Sequence, residues 1–90
     1  MTILLADIEA ALREEDIEGL IKQGGKSSEY DAEAKDIALA LNAVPKHELN
    51  EARLIAIMTR EWAKSFRLSD QEIEARIHPF RQMAHRLIKK

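Results

Sequence analysis

Apolar residues recur along this chain at helical spacing, and no segment alternates as a strand would. Ile3, Leu4, Leu5, Ile8 and Leu12 fit one helical face. The stripe then loses phase, and Ile17, Leu20 and Ile21 begin another. A local echo underlies the two, DIEAALRE from Asp7 and DIEGLIKQ from Asp16. The copies are offset by about two and a half helical turns, so in one straight helix they would face opposite sides. The pattern therefore predicts a break between Arg13 and Asp16. Asp16 then caps a short second helix, and Gly24 ends it as the left-handed residue.

The next helix is expected to open at Ser28, with Asp31 three residues on as a weaker capping box. Ala34, Ile37, Ala38, Leu41 and Tyr30 form its inner stripe. Asn42 to Pro45 ends it, because a residue before proline is pushed out of the helical region. Pro45 suits the first turn of a further helix running to Phe66. Leu49, Ala52, Leu54, Ile55, Met58, Trp62, Ala63 and Phe66 make that helix apolar over a wide arc, which places it centrally. LSDQEI is the strongest local signal: Ser69 is an N-cap, Glu72 completes a capping box, and Leu68 and Ile73 fit a hydrophobic staple. Ile73, Ile77, Phe80, Ala84, Leu87 and Ile88 keep helical phase through Pro79. A proline inside a helix breaks or bends it, so the last helix is expected to kink near Pro79. The fold class that follows is all-α, a single domain over residues 1–90 built as a compact bundle of four or five helices.

Composition agrees with that class and narrows the chemistry. The chain has 90 residues, 46% of them hydrophobic and 33% charged, which is a globular balance. There is no cysteine, which excludes disulfides and thiolate metal sites. No apolar run exceeds five residues, too short to cross a bilayer, and the start MTILLADIEAA lacks a basic region before Asp7. A cytoplasmic protein with no membrane partner is expected. The net charge of −2 is unevenly spread. Residues 1–36 hold ten acids and four bases, and residues 37–90 hold six acids and ten bases. Either the two halves pair within the molecule, or one of them faces a partner.

Residue type and spacing bear on four kinds of site. HELNE at His47 is half of a zinc-protease motif without its second histidine, so two ligands at best, His47 and Glu51, are available. His78 and His85 are about 10.5 Å apart along a helix, too far for one ion, and suit helix-face pairing with Glu74 and Arg81. No nucleophile stands at helical spacing from a histidine, and the Gly-Gly pair lacks a phosphate-loop context, so no catalytic residue and no cofactor are expected. The bases Arg76, Arg81, Arg86, Lys89 and Lys90 give a nucleic-acid-binding alternative, although they encircle their helix instead of sharing one side. The acids around the first loop remain. Glu29, Asp31 and Glu33 would be the ligands of a carboxylate metal site. They equally suit the first turns of a helix, where carboxylates meet a favourable dipole.

Asp16-Ile17-Glu18-Gly19-Leu20, a Gly-containing loop, then Glu29-Tyr30-Asp31-Ala32-Glu33-Ala34 resembles the YugE-like domain of unknown function, a family of small bacterial helical proteins. Those members share a D-P-x-G segment and an E-Y-D-x-E helix start; this chain has Ile17 where proline is frequent. The resemblance covers residues 14–41. It implies a compact helical fold, no known activity, and for some relatives an adaptor or immunity role beside a larger protein.

The expectation is thus a non-catalytic protein–protein interaction domain. Its candidate partner-binding residues are Asp16, Glu18, Glu29, Tyr30, Asp31 and Glu33. Homodimerisation through the Trp62-bearing helix is the other form of association considered.

Overall fold

The computed structural model describes residues 3–26 and 28–89. The first helix, α1, spans Leu5–Glu15 and buries Ile8, Ala11 and Leu12. The side chain of Asp7 reaches back to accept the Leu4 N–H at 3.3 Å, the return half of a capping box. The predicted break follows at Asp16, but its form differs. Asp16 is the C-cap of α1, in the left-handed region at φ 44 and ψ 54, and does not start a second helix. Residues 17–24 instead make successive turns, with Gly19 and Gly24 at φ 71 and 104. A segment of eight residues with glycine at left-handed positions cannot keep a helical nucleus. Its apolar residues still face inward: Ile17, Leu20 and Ile21 pack against the core.

The second helix, α2, spans Asp31–Asn42 and buries Ala34, Ile37 and Leu41. Ser28 is not its cap. The residue before the helix is Tyr30, and Ser28 takes part through its carbonyl, which accepts the Asp31 N–H at 3.1 Å. The helix expected from Pro45 to Phe66 is also divided. Pro45 has extended ψ (141) and leads into a single 3-10 turn at Lys46–Glu48. Asn50 then caps α3, Glu51–Phe66, its Oδ1 accepting the Arg53 N–H at 2.8 Å. His47 and Glu51 consequently lie on different elements, and the metal pairing that needed one helix is lost.

Around Ser69 the structure follows the expected pattern. The Ser69 hydroxyl accepts the Glu72 N–H and the Glu72 carboxylate accepts the Ser69 N–H, opening α4 over Asp70–Glu74. Leu68 and Ile73, the expected staple pair, are each partly buried against the core. The single helix expected to kink near Pro79 is instead two helices, with a two-residue break at Ala75 and Arg76 separating α4 from α5, Ile77–Ile88. Pro79 is the third residue of α5. There its missing N–H has no intrahelical acceptor to lose, and its ring meets no preceding helical turn.

The four long helices close a ring: α3 packs on α2 and α5, and α1 packs on α2 and α5. Trp62 of α3 stands at the centre with no exposed surface. The chain's other three aromatic rings all touch it, Tyr30 at 5.6 Å, Phe66 at 4.8 Å and Phe80 edge-on at 5.8 Å between centroids. Such pairs contribute about 0.5–1.5 kcal/mol each beyond their burial. Trp62 itself is therefore covered by the chain's own rings and is not available as a dimer contact. No helix among the described residues is long and apolar enough to cross a membrane.

Candidate functional site

One acid of the first loop, Asp16, meets the chain's tyrosine. Tyr30 is 1% exposed, and its hydroxyl donates to Asp16 Oδ1 at 2.6 Å. The Tyr30 hydroxyl oxygen in turn accepts the backbone N–H groups of Glu18 at 3.1 Å and Leu20 at 3.2 Å. The Asp16 carboxylate also accepts from Ile21 N–H (3.1 Å) and Lys22 N–H (2.9 Å). Four of these five bonds thus satisfy backbone N–H groups, those of Glu18, Leu20, Ile21 and Lys22, in place of helical carbonyls. The Tyr30 hydroxyl, together with the Lys22 and Ile21 amides, holds the Asp16 carboxyl below its usual range. Burial, and then the bond to Asp16, pushes the Tyr30 hydroxyl up to about 12.

Glu18 forms a second knot. Its carboxylate accepts Arg76 Nε at 2.6 Å and Nη2 at 2.9 Å, a forked pair, and Trp62 Nε1 at 2.8 Å. The Arg76 guanidinium, with help from the Trp62 N–H, depresses the Glu18 pKa. Arg76 also donates to the Glu72 carbonyl at 2.7 Å, which fixes the end of α4. One carboxylate therefore joins the first loop to the centre of α3 and to the α4–α5 break. Buried tryptophan N–H groups need an acceptor, and an apolar helix holding the only tryptophan signals that one must arrive. Nothing local indicates that it is Glu18.

The expected partner-binding set is accordingly divided. Tyr30 is buried, and Asp16 and Glu18 are half-buried with their carboxylates engaged by the chain's own donors, so Tyr30 offers no surface to a partner. Glu29 is exposed and accepts the Lys26 N–H at 3.2 Å. That turn requires Gly25, where an added Cβ would stand 2.5 Å from the Leu20 carbonyl oxygen and 2.8 Å from Glu29 Cγ. Asp31 pairs with Arg13 of α1 at 3.3 Å. Partial burial, with Asp36, Asp31 and Glu29 nearby, raises the Glu33 pKa. Among the described residues no three histidines or carboxylates are arranged to hold a metal ion, so Glu29, Asp31 and Glu33 are not a ligand set.

The basic C-terminal helix is likewise engaged within the molecule. Arg76 is held by Glu18, and Arg86 meets Glu14 at 2.9 Å and Glu15 at 3.5 Å on α1. The uneven charge of the two halves is thus partly matched internally. Arg81 and Lys89 remain exposed, and Lys90 lies outside the described residues. The histidines find other partners than expected: His85 Nδ1 meets Glu51 of α3 at 2.8 Å, and His78 meets Gln82 at 3.1 Å.

The first apolar stripe is buried only in part: Leu4 and Leu5 belong to it, yet they lie exposed beside Leu39, which no stripe included. Leu39 is 69% exposed on α2, and Leu4 and Leu5 are 57% and 37% exposed at the start of α1. Leu5, Ala38 and Leu39, flanked by Lys35 and Asn42, line a shallow, mostly apolar depression of about 370 Å3 between the two helices. One signal was present: Leu39 lies well off the Ala34, Ile37 and Leu41 stripe, a leucine on a face that is otherwise polar. Fold and site together define a small all-α bundle with a pinned entry loop and an exposed leucine face. In comparisons with known proteins, no family model, no curated protein and no solved structure matches the chain.

Proposed function

We propose that this chain is a small non-catalytic protein-binding domain, adaptor- or immunity-like in role, that docks a partner on the α1–α2 face. The observation that supports the reading is the exposure of Leu39 beside Leu5 and Ala38 in one apolar depression. Contiguous apolar surface of this kind costs solubility, and in folded proteins it marks places where another molecule sits. The reading moves the interface from the acidic loop to the adjacent leucines. The loop's part is to hold the start of α2, and so Leu39, in position.

The test compares cross-linked complexes formed by the wild-type chain and by Leu39→Glu in extracts of the source cell. Leu39 is mostly in water, so the variant should fold with stability within about 0.5 kcal/mol of the parent. A specific protein captured by the first chain and lost from the second supports the proposal. Identical captured sets from two equally folded chains refute it. Sedimentation of the purified chain tells a second copy apart from a different protein.

A further inference from the structure

The other flank of α2 carries a second concavity. It is a groove of about 360 Å3 between the end of α2 and the first half of α3. Its apolar lining, or floor, is Ala40, Ala43, Val44, Ala56 and Ile57, of which Ile57 is buried and Ala43 and Ala56 are exposed, and its charged lining, or rim, is Arg53 and Arg60 of α3. Both arginines are exposed, and neither makes an ion pair among the described residues. They are seven positions apart, which returns a helix to within about 20° of the same side. Lys64, also exposed and outside every ion pair, follows four positions later. The three cations therefore form a row within about 40° of arc and about 16 Å long.

The geometry points to this groove as the docking site for an acidic amphipathic helix of another protein. An occupant has to supply apolar side chains to the floor and anions to one rim at the same time. A helix with leucines at i, i+3, i+4 and i+7, and carboxylates seven and eleven positions apart on the adjoining flank, does both. Arg53 and Arg60 suit carboxylates because the guanidinium fork matches two oxygens. Nucleic acid matches the rim but not the floor. Its backbone offers no apolar stripe, and the groove has no aromatic ring on which a base could stack. The site is separate from the leucine face: it uses Ala40, Ala43 and Val44 of this segment, where the other uses Lys35, Ala38, Leu39 and Asn42.

Two synthetic helical peptides of about 14 residues, long enough to span the row, test the proposal on the full chain. Both carry the same leucine stripe; one has glutamates on the flank and the other has lysines. Binding is followed by amide NMR shifts. The acidic peptide is expected to shift Ala40, Ala43, Val44, Ala56 and Ile57, and to bind about tenfold or more tightly than the basic one. In an Arg53→Glu, Arg60→Glu chain that preference reverses, while Leu39→Glu leaves it unchanged. Equal binding of the two peptides overturns the inference. So do shifts confined to the surroundings of Leu39, an unchanged preference in the charge-reversed chain, or tighter binding of duplex DNA, duplex RNA or anionic vesicles at the same amides.

Discussion

Replacing Glu18 by Gln tests whether one carboxylate joins the first loop to the rest of the bundle. Glutamine keeps the size and one acceptor oxygen. It removes the charge and turns an amide donor toward Arg76 or Trp62, both of which are donors themselves. The Glu18 side chain is 14% exposed and that of Arg76 24% exposed. The pair therefore falls between a surface bridge, about 0–1 kcal/mol, and a fully buried one, where loss of a partner costs about 3–5 kcal/mol. The Trp62 N–H adds the cost of a poorly satisfied donor in the core. Together these give an expected loss of about 2–3 kcal/mol, or roughly 10–20 °C in melting temperature for a domain of this size. Urea unfolding read by Trp62 fluorescence measures it, because the only tryptophan sits in the network. The midpoint should fall with the slope unchanged. Acid pH gives an independent check. Folded Glu18 titrates below its ordinary value of 4.5, so its contribution is complete above that pH and is lost as pH falls through the depressed value. The gap between parent and variant should accordingly narrow below pH 4.5. A loss under about 0.5 kcal/mol, or one abolished by 1 M NaCl, would refute the reasoning and return the pair to the class of screened surface bridges.

Two further changes address the other corrections. Tyr30→Phe removes a donor from Asp16 and an acceptor from two backbone N–H groups, and should cost about 1–3 kcal/mol in the same unfolding assay, with amide exchange rising first across residues 17–22. The parent should lose stability between the ordinary tyrosine value of 10.0 and about 12, since the folded hydroxyl keeps its proton longer; ultraviolet titration showing ionisation near 10 would contradict the burial. Pro79→Ala should change stability by less than about 1 kcal/mol, because Pro79 lies in the first turn of α5. A gain of about 3 kcal/mol, as from relieving a proline inside a helix, would mean that α4 and α5 are one strained helix.

Some of this molecule could be read from neighbours along the chain. The capping box at Ser69 and Glu72 involves residues three apart and forms as its pattern requires. The stripes over 34–41, 54–62 and 80–87 mark faces that are in fact buried, because a 3.6-residue period depends only on local spacing. Even Ile17, Leu20 and Ile21 point inward as their pattern says, although the backbone that carries them is turns and not a helix. Periodicity reported the burial there but not the hydrogen bonding.

The partners of polar groups were decided elsewhere. Tyr30 meets Asp16 from 14 positions away, Trp62 meets Glu18 from 44, and Arg76 meets Glu18 from 58. Sixteen acids were available to those donors, and composition gives no reason to prefer any one. The same holds for the open surfaces: Leu39 becomes a candidate contact only because no helix covers it, and Arg53 and Arg60 only because no carboxylate reaches them. The sequence by itself determined most of the faces that leave water, since that follows from local spacing of apolar groups, with Leu4 and Leu5 of the first stripe as exceptions. Tertiary structure alone decided which donor meets which acceptor and which surfaces stay open, because both depend on how the ring of helices closes.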